Sequence, residues 1–108
     1  MKYLKKEKVY TKDNLTIKQI SQDLSIPQHH ISQVINEKLK TSYYTLINTL
    51  RVNEAKNLMM ESVNFDKSLL EILLMAGFKS KSVFNQAFKE ITGMQPREYR
   101  KIIKRSIK

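Results

Sequence analysis

Apolar positions recur at helical spacing along most of this chain, interrupted by short polar breaks. Thr16-Ile17-Lys18-Gln19 has the form of a capping box and predicts a short helix with Ile17, Ile20 and Leu24 inward. Ser25-Ile26-Pro27 breaks it, and Pro27 or Gln28 opens a second helix with Ile31, Val34 and Ile35 as its apolar stripe, closing near Lys38 to Lys40. A longer helix runs from about Ser42 to Glu61, with Leu46, Ile47, Leu50, Ala55, Leu58 and Met59 inward. Ser62 to Lys67 carries no periodicity. Ser68-Leu69-Leu70-Glu71 is a second capping box, starting a helix with Leu69, Ile72, Leu73 and Ala76 inward and Gly77 as its stop. Ser80 caps the next helix, where Phe84, Ala87, Phe88 and Ile91 fall at i, i+3, i+4, i+7. Gly93 ends it, and Pro96 stands at the first position of a last helix whose Tyr99, Ile102, Ile103 and Ile107 share a face.

The two halves repeat one another. Ile20 aligns with Ile72, Leu24 with Ala76 and Ile26 with Phe78, each 52 residues apart. Pro27 then aligns with Ser80, Ile31 with Phe84, Gln33 with Gln86 and Ile35 with Phe88, each 53 apart, so the second turn is one residue longer. A short helix, a tight turn and a second helix, occurring twice, is a duplicated helix-turn-helix.

The polar faces of the two second helices sharpen this reading. His29, Ser32, Gln33 and Asn36 sit at i, i+3, i+4, i+7, and Ser82, Asn85, Gln86 and Lys89 do the same in the repeat. Amides and hydroxyls dominate, and these groups match base edges, with Asn and Gln able to pair with adenine. A plain solvated face would more often carry charges. The same pattern after matching turns, in a strongly basic chain, favours base reading.

Composition agrees with an all-α fold. The chain has 108 residues, one domain's worth, with 41% hydrophobic residues and only two glycines and two prolines. It has no cysteine, which excludes disulfides and thiolate metal sites. Twenty Lys and Arg against ten Asp and Glu give a net charge of +10, which suits a polyanionic partner. Lys2, Lys5, Lys6 and Lys8 cluster at one end, and Arg97, Arg100, Lys101, Lys104, Arg105 and Lys108 at the other, each reading by itself as a solvated basic tail. No apolar run is long enough to span a bilayer and no signal peptide is visible, so a cytoplasmic, nucleoid-associated location is expected.

The run Ile72 … Ala76-Gly77-Phe78-Lys79-Ser80-Lys81-Ser82-Val83-Phe84-Asn85-Gln86-Ala87-Phe88-Lys89 … Thr92-Gly93-Met94 … Pro96 … Tyr99-Arg100 resembles the signature of the C-terminal DNA-binding domain of AraC/XylS-type transcriptional regulators. Leu15-Thr16, Ile31 to Asn36, and Leu50-Arg51-Val52 with Ala55 and Leu58 extend the resemblance over about residues 13 to 104. It implies an all-α fold of about seven helices, in which two helix-turn-helix subdomains joined by a long linker helix enter successive major-groove segments. The expected organisation is a basic segment over 1–12, a first unit over 13–40, the linker helix over 41–62, and a second unit with its C-terminal helix over 63–108. By the same resemblance, the base-contacting candidates are His29, Ser32, Gln33, Lys81, Ser82, Asn85 and Gln86. The phosphate-contacting candidates are Thr16, Lys38, Ser42, Ser68, Lys89 and Arg97. Double-stranded DNA is the expected partner, with RNA polymerase and a sensor region or dimer partner outside this chain as further candidates. The chain is similar to members that often follow large sensor or membrane-anchored regions, so a membrane-anchored parent fits, without membrane insertion of this segment.

Some positions depart from the family pattern. Many relatives carry arginine where Gln33 and Gln86 stand, which points to a site tolerant of A·T pairs. Leu73 stands where a small residue is usual, and Ser25 and Lys40 where glycine is common; Lys40 in a left-handed cap would be modestly strained. His29 and His30 are adjacent on a helix, about 100° apart, and cannot chelate a metal from one face. No nucleophile elbow or glycine-rich phosphate loop is present, so neither an enzyme nor a cofactor is expected. The last helix, apolar on one face and basic on the other, also admits a membrane-surface or partner-docking reading.

Overall fold

A computed structural model describes residues 8–11 and 16–107, the side chains of Val9 and Ile107 excepted. The Lys2, Lys5 and Lys6 cluster, Leu15, the Ile107 side chain and Lys108 lie outside the described residues. The described residues form six α-helices: α1 (Ile17–Leu24), α2 (Gln28–Lys38), α3 (Tyr43–Met60), α4 (Leu69–Met75), α5 (Lys81–Thr92) and α6 (Pro96–Ile107). Two 3-10 turns, Val9–Thr11 and Ser62–Asn64, precede α1 and follow α3. This is the expected all-α architecture, with six α-helices against the expected seven or so, and no strand among the described residues.

Local chemistry sets the helix starts. Thr16, Ser42, Ser68 and Ser80 each accept a backbone N–H three residues on, at 3.1, 3.1, 3.1 and 3.3 Å. Each such cap stabilises its helix by about 1 kcal/mol. In the first capping box the Gln19 side chain turns outward to Asp23 at 2.9 Å. Left-handed residues stand at or just after the ends of several helices. Ser25 ends α1 at φ 56°, Lys40 follows α2 at φ 56°, and Gly93 ends α5 at φ 80°. The two non-glycine residues carry the strain expected of an L-residue there. The α1–α2 connection is three residues, 25–27, and the α4–α5 connection five, 76–80. One extra residue is the insertion seen in the repeat; the other arises because α4 closes at Met75, one residue before the position matching Leu24.

Helix α3 organises the molecule because it belongs to two cores. Ile47, with Leu46 and Leu50 beside it, packs with Tyr10, Ile20, Ile31 and Ile35. Val52, Ala55, Leu58 and Met59 pack with Ile72, Leu73, Ala76, Phe78, Phe84, Ala87, Phe88 and Ile103. In the second core Phe78, Phe84, Phe88 and Tyr99 form an edge-to-face series, with ring centroids 5.1, 5.6 and 5.3 Å apart. Leu73 is fully buried there, so the larger side chain fits the core. The sequence assignment of inward positions on α3 omitted Asn48, Val52 and Glu54, which are buried. Glu54 is paired with Lys8, whose Nζ lies 3.1 Å from the carboxylate. That hydrogen bond, with the carboxylate's charge, holds the Lys8 ammonium above the usual lysine value.

The Val9–Thr11 turn is wedged at the junction of the cores. The Tyr10 side chain is buried in the first, and its carbonyl accepts from Arg51 Nε on α3 at 2.6 Å. Gly77, from the α4–α5 connection, lies against the same carbonyl. Burial raises the Tyr10 hydroxyl above its ordinary pKa.

Candidate nucleic-acid interface

Each second helix of a tight-turn pair is held by one apolar edge. In α2, Ile31 and Ile35 are buried, which leaves His29, Gln33 and Asn36 exposed and Ser32 half-buried. In α5, Phe84, Ala87 and Phe88 are buried, which leaves Lys81, Ser82, Asn85, Gln86 and Lys89 exposed. None of the base-reading candidates is enclosed in a core. The apolar stripes are narrower than expected, since Val34 is 44% and Ile91 39% exposed. Both sit at the edge of their stripe, where the helix surface curves away from the core.

The phosphate candidates occupy surfaces of several kinds. Thr16, Ser42 and Ser68 are exposed N-caps, and Lys38, Lys89 and Arg97 are exposed cations. A cleft of about 520 Å³ at the second pair brings Ser68, Lys81, Asn85 and Arg97 together, with Gln95, Pro96 and Glu98 on its wall. Four predicted site residues, drawn from the N-cap of α4 and from α5 and α6, thus share one concavity.

Two basic residues of the C-terminal cluster are not free surface charges. Arg100 Nη2 donates to the Asn64 and Phe65 carbonyls, both at 3.1 Å, and Lys104 Nζ donates to Phe65 at 3.1 Å. They tie α6 to the carbonyls of the 3-10 turn after α3, which α-helical periodicity does not reveal. Arg97, Lys101 and Arg105 remain exposed. Among the described apolar residues of α6, Ile103 is buried and Tyr99 packs on Phe88, while Ile102 is 49% exposed. This displaces the reading of α6 as a membrane-surface helix. No helix of the described residues is long and apolar enough to cross a membrane. His29 and His30 meet edge to face, ring centroids 4.4 Å apart. Among the described residues no group of three or more His, Cys, Asp or Glu could hold a metal ion.

Glu37 and Glu90, not among the expected site residues, lie on the candidate faces. Gln33 Nε2 donates to Glu37 Oε1 at 3.3 Å, and Gln86 Nε2 donates to Glu90 Oε1 at 3.2 Å. The glutamine-to-glutamate spacing of four was a readable signal.

Residues 20–102 match the family described as a helix-turn-helix domain. A solved AraC-type DNA-binding regulator from Chromobacterium violaceum shares the fold at TM-score 0.72 and 24% identity, over 82% of this chain and 77% of that one. The chain belongs to the AraC-type helix-turn-helix family. The C-terminal domain of AraT, a response regulator from Geobacillus stearothermophilus, has the same fold at TM-score 0.77 and 24% identity, covering 88% of this chain and 76% of that one. The melibiose operon regulatory protein of Escherichia coli K12 is 30% identical over 88 residues, 82% of this chain and 28% of the relative. The chain therefore spans less than a third of the length of that relative. An AraC-type helix-turn-helix domain implies DNA binding and regulation of transcription, and the proteins to which this chain is similar are named as regulators.

Proposed function

We propose that this domain recognises a particular double-stranded DNA sequence by placing α2 and α5 in successive major-groove segments. The observation that carries the reading is the repeated polar stripe. His29, Ser32 and Gln33 on one helix, and Ser82, Asn85 and Gln86 on the other, stand outside the core at matching positions, with Lys81 exposed beside the second set. Helix α3, 18 residues and about 27 Å long, joins the two units. The molecule is 47 Å in its longest dimension, enough to reach across major-groove segments about 34 Å apart. The units proposed are 13–40 and 63–108, with 41–62 as the linker.

Binding has two layers in this reading. Thr16, Lys38, Ser42, Ser68, Lys89 and Arg97 anchor phosphates, and the cleft that joins Ser68, Lys81 and Arg97 is one seat for the backbone. The net charge of +10 makes this layer steeply dependent on salt. The amide stripes then choose sequence, with Gln33 and Gln86 leaning to adenine. RNA polymerase, and a sensor region or dimer partner outside this chain, would connect binding to transcription in the nucleoid. Selection from random duplexes, followed by titration at two salt concentrations, tests the reading. One enriched motif with two segments a helical turn apart is expected; equal affinity for every duplex would overturn it.

A further inference from the structure

The two glutamine–glutamate pairs occupy the same register in both repeats. Gln33 and Gln86 are 53 residues apart, and so are Glu37 and Glu90. Each pair spans one turn on the exposed polar face of its helix, and in each the glutamine Nε2 donates to the carboxylate at 3.3 and 3.2 Å. We propose that Glu37 and Glu90 are positioning residues that set the polarity of Gln33 and Gln86, so that both helices select adenine over guanine. The inference rests on the DNA-reading function proposed above.

Hydrogen-bond inventory decides which edge each amide presents. A carboxylate only accepts, so it must face the amide nitrogen; a flipped amide would set two acceptors against each other. Of the two Nε2 hydrogens, one is then committed to the glutamate. With the hydrogen anti to Oε1 on the glutamate, the other N–H and the Oε1 acceptor remain together on the free edge. That edge matches the N7 acceptor and N6–H donor of adenine. Guanine offers two acceptors, O6 and N7, and would need both hydrogens of the amide. The glutamate thus removes the donor that guanine requires. In water such a pair biases orientation only modestly, but in a groove that excludes water the bond strengthens.

The test uses the full chain and a duplex panel varied at the selected motif. Glu37→Ala and Glu90→Ala favour helix, so folding is retained, which circular dichroism checks. Both remove a negative charge near phosphates, and affinity for all duplexes should rise together. On top of that rise, the adenine-over-guanine ratio should fall about two- to fivefold at one position per variant. Glu37→Gln and Glu90→Gln remove the same charge but keep a carbonyl acceptor, and should retain more of the ratio. Asp23→Ala breaks the similar Gln19–Asp23 pair on α1 and should leave base preference unchanged. A uniform rise in affinity with an untouched ratio in the Ala variants would overturn the proposal. So would a cytosine preference lost in both the Ala and Gln variants, since the glutamates would then read the base themselves. If the unaltered protein prefers no duplex at all, the DNA-reading function itself fails, a separate and recognisable result.

Discussion

Gly77→Ala should be among the most damaging single-methyl additions to this protein, and Gly93→Ala a mild one. Both glycines have positive φ, at 104° and 80°. They differ in what a Cβ would meet. At Gly77 it would lie 2.5 Å from the Tyr10 carbonyl oxygen, 2.8 Å from Thr11 Cα and 2.9 Å from Arg51 Nε; at Gly93 nothing lies within 4 Å. Two of the three obstacles are backbone atoms, so a rotamer change cannot clear them. The strained conformation costs about 1–2 kcal/mol at either site. Overpacking adds about 1–3 kcal/mol at Gly77 alone. The stiffer unfolded chain returns about 0.4–1 kcal/mol in both variants. The net is about 2–4 kcal/mol for Gly77→Ala and about 1 kcal/mol or less for Gly93→Ala. If the Val9–Thr11 turn peels away to make room, the loss of Tyr10 burial and of the Arg51 hydrogen bond is of similar size. Against a typical stability of about 5–15 kcal/mol, this is a large fraction. Urea unfolding followed by circular dichroism reads it directly. With a slope of about 1–3 kcal/mol per molar, the Gly77→Ala midpoint should fall by about 1–2 M, well beyond the Gly93→Ala shift. Equal midpoints and equal slopes for the two variants would refute the argument from close approach.

Gln86→Ala should relax preference at one base position by about 1–3 kcal/mol while helicity and unfolding midpoint stay put; loss of binding together with helicity would mark Gln86 as structural. Phe88→Ala removes a fully buried ring that contacts Phe84 and Tyr99, and should cost about 3–5 kcal/mol in denaturant unfolding. Lys40→Gly relieves an L-residue held at φ 56° and should stabilise by about 0.5–1 kcal/mol; a loss of stability would show that the Lys40 side chain contributes more than its backbone strain removes. Lys8 is raised by its bond to Glu54, and Tyr10 and Tyr43 by burial. Groups whose folded pKa lies above the unfolded value stabilise fully below the unfolded value and lose that contribution as pH rises through the folded one. Their share of stability should therefore hold from neutral pH and fall above about pH 10, and Tyr10→Phe should soften the fall in an unfolding series. A rise in stability over that range would contradict the assignment.

Much of the fold, and the exposure of the candidate site residues, was legible because the determinants are local. The caps at Thr16, Ser42, Ser68 and Ser80, the stops at Ser25, Gly77 and Gly93, and Pro96 at a helix start act within a few residues of themselves. The exposed faces of α2 and α5 followed from the period of their buried edges. Partnerships between distant segments were not legible, because periodicity names a face and not what covers it. Val34 and Ile91 stand on apolar stripes yet reach solvent, while Asn48, Glu54 and Asn64 are buried. Asn64 is accommodated by donating to the Leu58 carbonyl at 2.9 Å, and Arg100 and Lys104 reach carbonyls more than thirty residues away. By itself the chain determined its helices, their ends and the repeat of two polar stripes, since these depend on torsional preference and spacing. Only the tertiary structure decided that α3 serves two cores, that the Val9–Thr11 turn is wedged against Gly77, and which cations remain exposed. Those outcomes depend on which surfaces meet after the chain closes on itself, and that is a property of packing rather than of any local run of residues.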